Sequence, residues 1–490
     1  MFMELGFYFL IGVAVLAAVL FAVLAVRAQR IKAQERPPHE AFRKEIDEQK
    51  AIRDFSMMLQ KKTIWPRGEA PDLAQFDAFL PLLQSMYPRC FAAFETNIVN
   101  GYGILLRWKG KDGTKLPVVL MAHYDVVAAD ESKWTLPPFC GEEHAGYIWG
   151  RGAVDTKCII AALLEASETL LAEGFAPERD LYFSFTNNEE TGGDTTPAVV
   201  EWFRARGIRP WFVLDEGGAI VHAPAFGVKR DFAMVGVSEK GVIDAIVNVR
   251  GVPGHSSTPK DTDSTYRLIK VCNEIEHHQF EAHLSPATRE MLQSIAGYAS
   301  FSTRLVFANL WLFSPLVKLI MSQNPETNAM LRTTVALTKL RGSDVINVIP
   351  TTAQAGFSVR VAPWDNDEKV IKRLRSISGE HTEITSEYTV EPSPVSPTDN
   401  DAFALLSETV DDVYPRVKTV PYVMNGGTDS KHFTGICENV YRFGGFRFSD
   451  EERAAMHGND EKLKTESFLD GIQFYLKLLI NLNKGETPCN

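Results

Sequence analysis

The sequence lacks the patterns that identify several other classes of protein. None of its six cysteines forms a C-x-x-C pair, so neither a zinc knuckle nor a disulfide framework is indicated. No G-x-S-x-G motif is present, which argues against a serine hydrolase built on a nucleophile elbow. The absence of an N-x-S/T sequon also argues against a glycosylated secreted product.

The sequence also has no excess of basic residues. It carries 51 lysines and arginines against 62 aspartates and glutamates, which gives a formal net charge of −11. A nucleic-acid surface needs clustered lysine and arginine to displace counterions, so we expect no nucleic-acid partner. At 490 residues the chain exceeds the size at which one hydrophobic core keeps growing, and we therefore expect two folding units.

Residues 5–26 form a long apolar stretch without a charged residue. At about 1.5 Å per residue, this stretch is long enough to cross a hydrocarbon core of about 30 Å. The rival interpretation is a signal peptide, whose apolar region runs only about 7–15 residues after a basic start. Here Glu4 precedes the stretch and no lysine or arginine does. We predict a retained, single-pass transmembrane anchor.

Residues 27–39 are predicted to be a juxtamembrane linker. By the positive-inside rule, the basic residues after the apolar stretch favour a cytoplasmic catalytic body, although a large translocated domain can override that bias. These basic residues are Arg27, Arg30, Lys32, Arg36, Arg43 and Lys44.

Three short apolar runs further along the chain each end in acidic residues or histidine. The runs PVVLMA, LYFSF and WFVL lead into His123, into the pair Glu189-Glu190 and into Asp215, respectively. Short uninterrupted apolar runs are typical of strands buried on both faces of a parallel sheet. The helix-like stretch 156–173 lies between two of them, and such alternation predicts an α/β sheet with helices on both faces.

From about residue 241 the pattern changes to a β-α-β-β-α-β order, which is the ferredoxin-like arrangement. We therefore predict an α/β catalytic domain, with a mostly parallel sheet, over residues 40–240 and 394–490. A smaller α+β domain over residues 241–393 is inserted in it. The predicted strands of the insertion are 242–249, 335–340, 355–361 and 383–390, with a helix after Asp263 and another over 366–377.

The histidine and acidic residues at the strand ends are candidate metal ligands, because open α/β sheets bind ligands beyond the carboxyl ends of their strands. In the H-x-D motif of His123 and Asp125, residues two apart on a strand point the same way. Asp125 is therefore well placed to hold the second ring nitrogen of a metal-binding His123. Asp155 follows a glycine-rich turn at a helix start, where its carboxylate could bridge two cations or cap the helix.

Adjacent glutamates at an apolar-flanked site repel each other unless a cation or a shared proton compensates. One member of the Glu189-Glu190 pair can bind a metal while the other takes a proton from water. The alternative is a solvated loop after a strand. Two histidines and three carboxylates would give each of two zinc ions a nitrogen and an oxygen, with Asp155 shared. The candidate ligands are His123, Asp155, Glu190, Asp215 and His457.

The chain after the anchor resembles the zinc exopeptidases that include aminoacylase-1, carboxypeptidase S and glutamate carboxypeptidase. The resemblance rests on motifs that occur in order along the chain. They are AHYDVV, WGRGAVDTK, NNEETGG, LDEGG, GVPGHSS, NVIP and MHGNDE. The segments PPFCGEEHAGYIWGRGAVD and RTTVALTKLRGSDVINVIP are most similar to the carboxypeptidase S branch, which includes enzymes acting on N-fatty-acyl amino acids.

The resemblance implies a distribution of the ligands over two zinc ions, although other divalent metals are possible. His123, Asp155 and Asp215 would hold one zinc, and Asp155, Glu190 and His457 would hold the other. It also implies a zinc-exopeptidase catalytic domain with an inserted lid or dimerisation domain, and so a possible homodimer.

The resemblance further implies roles in catalysis and in substrate binding. Glu189 would be the general base and acid, and Asp125 would orient His123. His255, from the inserted domain, would stabilise the oxyanion, within its own chain or across a dimer. The implied substrate-binding residues are Asn347 for the scissile carbonyl, Arg360 for the substrate carboxylate, and Gly427 and Thr428 in a loop after a late strand.

The apolar stretch between Arg304 and Lys318 is too short to span a bilayer. One interpretation is helix packing within the small domain or at a dimer interface. The other places this stretch at the membrane surface, where it would admit a lipid-like acyl chain.

The sequence as a whole predicts a two-zinc hydrolase that cleaves an amide bond next to a free carboxylate. Its substrate would be a peptide or an N-acyl amino acid. The alternatives are a dipeptidase or short-chain aminoacylase with the same machinery, or an inactive membrane-anchored binding protein.

Overall fold

The computed structural model describes residues 2–33, 37, 39–222, 228 and 230–483. Part of the predicted linker, namely residues 34–36 and 38, lies outside the described residues, and this part includes Arg36. Within the described residues the helices are, in chain order, α1 Phe2–Arg30, α2 Glu48–Leu59, α3 Leu73–Asp77, α4 Phe79–Met86, α5 Pro88–Ala93, α6 Lys157–Ala172, α7 Thr195–Ala205, α8 Ser264–His277, α9 Pro286–Ala296, α10 Phe301–Ala308, α11 Leu310–Met321, α12 Pro325–Ala329, α13 Asp367–Ser378, α14 Asp401–Val413, α15 Asp450–Ala455 and α16 Thr465–Asn481.

The strands belong to one large sheet, one smaller sheet and two short ribbons of the described chain. In chain order they are β1 Glu95–Val99, β2 Gly103–Trp108, β3 Val118–His123, β4 Glu143–His144, β5 Tyr147–Trp149, β6 Leu181–Thr186, β7 Phe212–Asp215, β8 Ile220–His222, β9 Asp231–Glu239, β10 Gly241–Arg250, β11 Gly254–His255, β12 Thr334–Arg341, β13 Val348–Ile349, β14 Thr352–Val361, β15 Thr382–Val390, β16 Lys418–Met424, β17 Val440–Arg442 and β18 Lys462–Lys464.

The large sheet has the order β1-β2-β6-β3-β7-β17-β9-β16, and β8 pairs with β9. Its centre, β6-β3-β7-β17, is parallel, and β6, β3 and β7 are the strands predicted from the three apolar runs. The whole sheet is mixed and not mostly parallel as predicted, because β1-β2, β2-β6, β17-β9 and β8-β9 are antiparallel pairs. The connection from β1 to β2 spans only residues 100–102, and so short a turn can join antiparallel strands only.

Helices cover both faces of this sheet, as the alternating pattern predicted. Along β3 the side chains of Val118, Leu120 and Ala122 enter a core that contains α6 and α16. The side chains of Val119 and Met121 enter a second core on the opposite face, which contains α7. Helix α6 is buried along nearly its whole length because it packs against α2, α5 and α16 as well as the sheet.

The smaller sheet has the order β12-β14-β10-β15, and all of its neighbouring pairs are antiparallel. Helices α8 and α13 pack on it, and together they enclose a separate hydrophobic core. The elements therefore follow the predicted β-α-β-β-α-β order. A single residue, Lys240, separates β9 of the large sheet from β10 of the small one.

Helices α9 to α12 lie between α8 and β12 in sequence but do not join the small sheet. Helices α9 to α11, with Met330 and Leu331 after α12, form a third core with Phe232 and Val420, which belong to the β9-β16 edge of the large sheet. The stretch between Arg304 and Lys318, which one interpretation placed in the small domain or at a dimer interface, packs on this edge of the large sheet, and the dimer interface stays a prediction. The stretch forms helices α10 and α11.

Helix α1 contains the predicted anchor and continues beyond it to Arg30. Residues 5–23 are exposed, whereas Leu24 and Ala28 are buried against the rest of the chain. In the described residues, Leu5–Arg30 is long and apolar enough to cross a membrane. A second candidate arises if the bent pair α10 and α11 is counted as one span. By length and composition alone, a signal sequence meets the same test as a membrane span.

Candidate metal centre

The candidate ligands meet at the carboxyl edge of the parallel centre of the large sheet. His123 ends β3, Glu189 and Glu190 follow β6, and Asp215 ends β7. These three strands are neighbours and run in the same direction, so their carboxyl ends lie side by side.

Asp155 lies between the two histidines. One carboxylate oxygen, Oδ1, is 2.9 Å from Nε2 of His123, and the other, Oδ2, is 3.0 Å from Nε2 of His457. His457 Nε2 is also 3.0 Å from Oε2 of Glu190. The two oxygens of one carboxylate therefore face two different imidazoles, as a carboxylate bridging two metal ions would.

The residue after Asp215 completes the opposite side of the cluster. Oε1 of Glu216 is 3.4 Å from Nε2 of His123. The carboxylate of Asp215 is turned elsewhere and accepts hydrogen bonds from the backbone N–H of Glu216 and of Ser430, both at 2.9 Å. The structure thus brings Glu216, and not Asp215, to the ring of His123.

Asp125 fixes the position of both halves of the site. Its two carboxylate oxygens accept hydrogen bonds from the backbone N–H groups of Glu189 and Glu190, each at 3.1 Å. Nδ1 of His123 lies 2.9 Å from the Asp125 carbonyl oxygen and 3.4 Å from its Oδ1. This contact leaves Nε2 of His123 directed at Asp155 and Glu216, as expected for an imidazole whose second nitrogen is held by an acceptor.

The spacing of these atoms suits zinc. Among the described residues there are two groups of possible ligand atoms, and within each group the atoms lie within 4.8 Å of one another. One group is His123 with Glu189 and Glu216, and the other is His123 with Asp155 and Glu190. Two ligand atoms that each lie roughly 2.0–2.1 Å from a tetrahedral zinc are about 3.3 Å apart. The histidine–carboxylate separations of 2.9 to 3.4 Å fit that geometry, and nitrogen with carboxylate oxygen is a donor set that zinc accepts.

The electrostatics of the cluster call for added positive charge. Burial raises the pKa of Glu189 and of Glu216 well above the usual range, while the nearby His123 acts in the opposite direction. Burial likewise raises the pKa of Asp215 to about 6, and the charge of Asp429 adds to this effect. Buried carboxylates in such numbers stay ionised at neutral pH only with cations beside them.

Hydrogen bonds between the histidines and the carboxylates shift the pKa values of both kinds of group. Burial disfavours ionised Asp155, but hydrogen bonds with His123 and His457 outweigh it and hold the pKa of Asp155 well below its usual range. Hydrogen bonds to Asp155 and Glu190 raise the pKa of His457 to about 10. A cation held between these groups would take the place of the imidazole proton. The His457 side chain is 55% exposed, so the cluster is open on this side.

The residues predicted from the inserted domain lie outside the metal cluster and do not all lie together, since Arg360 pairs with Val242 at one end of β10 whereas His255 follows the other end, at Arg250. His255 and Asn347 are brought together by the ribbon of β11 and β13, in which the Ser256 N–H donates to the Asn347 carbonyl at 3.4 Å. Nδ1 of His255 lies 2.8 Å from Oγ of Ser257. Arg360 is exposed on β14, the strand next to β10 in the small sheet.

The predicted substrate loop is tied to the large sheet by a buried carboxylate. Oε2 of Glu239 accepts hydrogen bonds from the backbone N–H of Thr428 at 2.7 Å and from its hydroxyl at 3.1 Å. The Thr428 hydroxyl also lies 2.7 Å from that of Ser430, whose N–H reaches Asp215. The Thr428 side chain is therefore turned inward, and Gly427 before it is partly exposed.

A sequence profile of Peptidase family M20/M25/M40 matches residues 119–481, a range that contains every candidate ligand of the cluster. The chain belongs to this family. It is 34% identical over 427 residues to "Probable carboxypeptidase S-like 2" of Dictyostelium discoideum, covering 85% of this chain and 82% of that protein. It is 31% identical over 489 residues to the N-fatty-acyl-amino acid synthase/hydrolase PM20D1 of Xenopus tropicalis, covering 98% and 95%.

A solved structure has the same fold. The M20 family metallo-carboxypeptidase Sso-CP2 from Sulfolobus solfataricus superimposes with a TM-score of 0.63 at 17% identity, over 88% of this chain and 99% of that one. The predicted resemblance to the carboxypeptidase S branch is confirmed by the sequence relatives. This M20-family member is accordingly a metallohydrolase of the peptidase type.

Two residues of this M20-family site were not predicted from the sequence. Glu216 is the second acid of LDEGG, and only its position beside the Asp215 candidate could have indicated it. Glu461 ends MHGNDE and is fully buried. Its Oε1 accepts from the N–H groups of Gly152 at 3.1 Å and Val154 at 2.8 Å, and so holds the turn that presents Asp155.

Proposed function

We propose that this M20-family enzyme uses two zinc ions to hydrolyse an amide bond next to a free carboxylate. The observation that carries the proposal is the placement of Asp155, whose two oxygens face Nε2 of His123 and Nε2 of His457 at 2.9 and 3.0 Å. A carboxylate shared in this way is suited to bridging two ions that are each also bound by a histidine.

Each zinc would be held by one histidine, by the shared aspartate and by one further carboxylate. His123 with Asp155 and Glu216 forms one set, and His457 with Asp155 and Glu190 forms the other. The contact of Glu216 with His123 supports its choice over Asp215, whose carboxylate is occupied by backbone donors. Bound zinc supplies Lewis-acid chemistry, lowering the pKa of water and polarising a carbonyl.

Glu189 would move the proton. Its backbone N–H is fixed by Asp125, and its carboxylate belongs to the group of ligand atoms around His123. Burial raises its pKa, as suits a group that must both accept and release a proton near neutral pH. Glu189 accepts a proton from the attacking water and then donates it to the leaving nitrogen.

The small sheet would supply the groups that recognise the substrate. His255 would stabilise the developing oxyanion, Asn347 would bind near the scissile carbonyl, and Arg360 would pair with the substrate carboxylate. Their placement on one small unit supports a lid that closes over the metals. Lys240 is the whole connection on one side, and the returning chain is tied down where the Ser393 N–H donates to the Glu239 carbonyl at 3.2 Å.

The substrate class that we propose is an N-acyl amino acid with a long acyl chain. The support is the similarity to a relative named N-fatty-acyl-amino acid synthase/hydrolase, which this chain matches over 98% of its length. The carboxypeptidase S-like relative supports a peptide with a free C-terminus as the second candidate. Both substrates present an amide one carbon from a carboxylate, as hydrolysis next to a free carboxylate requires.

We further propose that α1 anchors the enzyme in a membrane as a single span, with the catalytic body on the cytoplasmic side. The contact between the helix and the body supports an anchor over a removed signal sequence. Leu24 and Ala28 are buried, and the Leu24 carbonyl accepts a hydrogen bond from the Asn309 side chain at 3.1 Å. The lysines and arginines that follow the apolar stretch support the cytoplasmic side.

The proposed function is tested by the response of hydrolysis to the substrate carboxylate. The full chain, zinc-loaded in detergent micelles, is given a long-chain N-acyl amino acid, a dipeptide, and the carboxyl-amidated form of each. We expect hydrolysis of at least one free acid and a strong loss of rate with its amidated form. Equal rates for the free and amidated forms would show that no carboxylate is recognised.

A further inference from the structure

Helices α10 and α11 form a sharply bent pair on the edge of the large sheet. They meet at Asn309 with an angle of 112° between them. Their inner side chains, among them Phe307, Leu310 and Val317, are buried in the core shared with β9 and β16. The pair is thus folded firmly onto the body, and its outer side is a defined surface.

That outer side is strongly apolar. On α11 the large exposed apolar residues recur at positions 311, 312, 316, 319 and 320, which is the spacing of one helix face. An apolar face of this kind on a folded body usually marks a partner or a membrane. The members of this face on α11 are Trp311 (56% exposed), Leu312 (39%), Leu316 (45%), Leu319 (62%) and Ile320 (55%), and Phe301 (49%) is the large exposed apolar residue of α10.

Charged side chains are nearly absent from this apolar face. Lys318, in the last turn of α11, is its one basic residue within that helix. Arg304 of α10 points away from the face, because its guanidinium donates to the carbonyl oxygens of Ala296, Gly297 and Ala299 at 3.3, 3.3 and 3.1 Å. The face therefore carries little that would need to remain in water.

The apolar face adjoins the end of the anchor helix. The Asn309 side chain, at the bend, donates to the carbonyl of Leu24, and Leu24 lies two residues before the end of the apolar stretch 5–26. Beyond it, the backbone of Lys32 and Ala33 passes close to Gly297, just before α10. The bend is thereby fixed at the level where an anchor embedded in a bilayer would emerge from the hydrocarbon.

From these contacts we infer that the apolar face of α10 and α11 is seated in the lipid bilayer beside α1. The inference rests on the proposed anchor. Helix α11 has 12 residues, about 18 Å of helix, which is too short to cross the hydrocarbon core and suits a helix lying at the boundary of headgroups and acyl chains. Trp311, with an amphipathic ring, is a side chain that favours this boundary.

The segment after the apolar face reaches the rim of the metal centre. In α12, the Glu326 carbonyl accepts from the side chain of Asn425, which precedes the Gly426-Gly427 loop, at 3.3 Å. The Glu326 carboxylate accepts from Arg453, four residues before His457, at 3.5 Å. Seating the face in the bilayer therefore holds the rim of the site close to the membrane, the phase in which long acyl chains dissolve.

Nitroxide labels on the full chain test this inference in phosphatidylcholine nanodiscs. Single cysteines replace Leu319 on the apolar face, Leu16 in α1, and Leu340, an exposed leucine on β12 of the small sheet. Cys140 and Cys489 are changed to serine, since the other cysteines, Cys90, Cys158, Cys272 and Cys437, are buried. Accessibility to oxygen, which concentrates in lipid, is compared with accessibility to a water-soluble nickel chelate.

We expect the labels at 16 and 319 to respond more to oxygen than to nickel, and the label at 340 to show the reverse. A label at 319 that behaves like the one at 340, while position 16 remains in lipid, overturns the inference and leaves the anchor standing. A label at 319 closed to both reagents indicates contact with a second copy of the chain and also overturns it. A label at 16 open to nickel removes the anchor and the inference with it.

Discussion

Oε1 of Glu216 lies 3.4 Å from Nε2 of His123, whereas the carboxylate of Asp215, one residue earlier, accepts hydrogen bonds from two backbone N–H groups. The two acids are adjacent in sequence and have different partners. Glu216 is in a position to bind a metal, and Asp215 holds the loop that contains Ser430.

The zinc content of single variants distinguishes the roles of Glu216 and Asp215. Glu216→Gln is expected to reduce bound zinc from two to about one per chain, because an amide is a poorer zinc ligand than a carboxylate. Asp215→Asn, which keeps an oxygen to accept from Ser430, is expected to retain both ions. Elemental analysis after gel filtration measures the ratio. Full zinc in the first variant with loss in the second would assign the ligand to Asp215.

The proton-transfer role of Glu189 predicts a change in rate without a change in metal. Glu189→Gln should lower kcat by about 10²- to 10⁴-fold, the usual contribution of a general base, while zinc content stays at the parental value. Glu201→Gln, on the exposed surface of α7, is the matched control and should leave kcat unchanged. A glutamine variant at 189 that is as fast as the parent would contradict the proposed mechanism.

If Arg360 binds the substrate carboxylate, replacing it with lysine should weaken substrate binding. Arg360→Lys keeps the charge but loses the planar pair of N–H donors. We expect KM for a free-acid substrate to rise about 10- to 100-fold, the value of a charged hydrogen bond, with little change in kcat. The control is Arg250→Lys, another exposed arginine of the small sheet. An unchanged KM at 360 would remove this arginine from the binding site.

Lys240, between the two sheets, predicts a pH dependence of stability. Burial lowers its pKa to about 7, and the charge of Arg360 acts in the same direction. In the unfolded chain the pKa of a lysine is about 10.4. Below about pH 7 the lysine is charged in both states, so its burial cost is fully present. Between these pKa values the unfolded chain binds the additional proton, and stability rises with pH.

Lys240→Met removes this titration. The Tm of the variant minus the Tm of the parent should therefore be largest below pH 7 and should decrease as the pH rises to about 9. Thermal unfolding of both proteins in the same detergent measures it. A difference in Tm that is independent of pH would mean that Lys240 keeps an ordinary pKa in the folded enzyme.

Much of the fold follows from local sequence pattern. The apolar runs before His123, Glu189 and Asp215 coincide with β3, β6 and β7 within about one residue. A short strand with apolar side chains on both of its faces is typical of a sheet that is buried on both faces. The order of elements in the small sheet was predicted for a similar reason. The position of α9 to α12 was not, since an apolar helix face does not specify which of two cores it joins.

The site shows the same division. His123, Asp155, Glu190 and His457 were predicted and lie together, because each stands at a strand end or turn, where open α/β sheets bind their ligands. That Glu216 lies beside the ring of His123 could be seen only in the structure. Successive side chains of a strand point to opposite sides, and the sequence does not fix the residue at which that alternation ends. Glu461 was missed because it acts through backbone N–H groups.

Stepwise addition of zinc to the chelator-stripped full-length enzyme tests the two-metal site most directly. Hydrolysis of a long-chain N-acyl amino acid is followed as the zinc-to-protein ratio is raised. We predict no activity without metal and a rise that is complete at two zinc ions per chain, with Glu189→Gln inactive throughout. Full activity in the stripped enzyme, or a rise that is complete at one zinc ion, would contradict a centre bridged by Asp155.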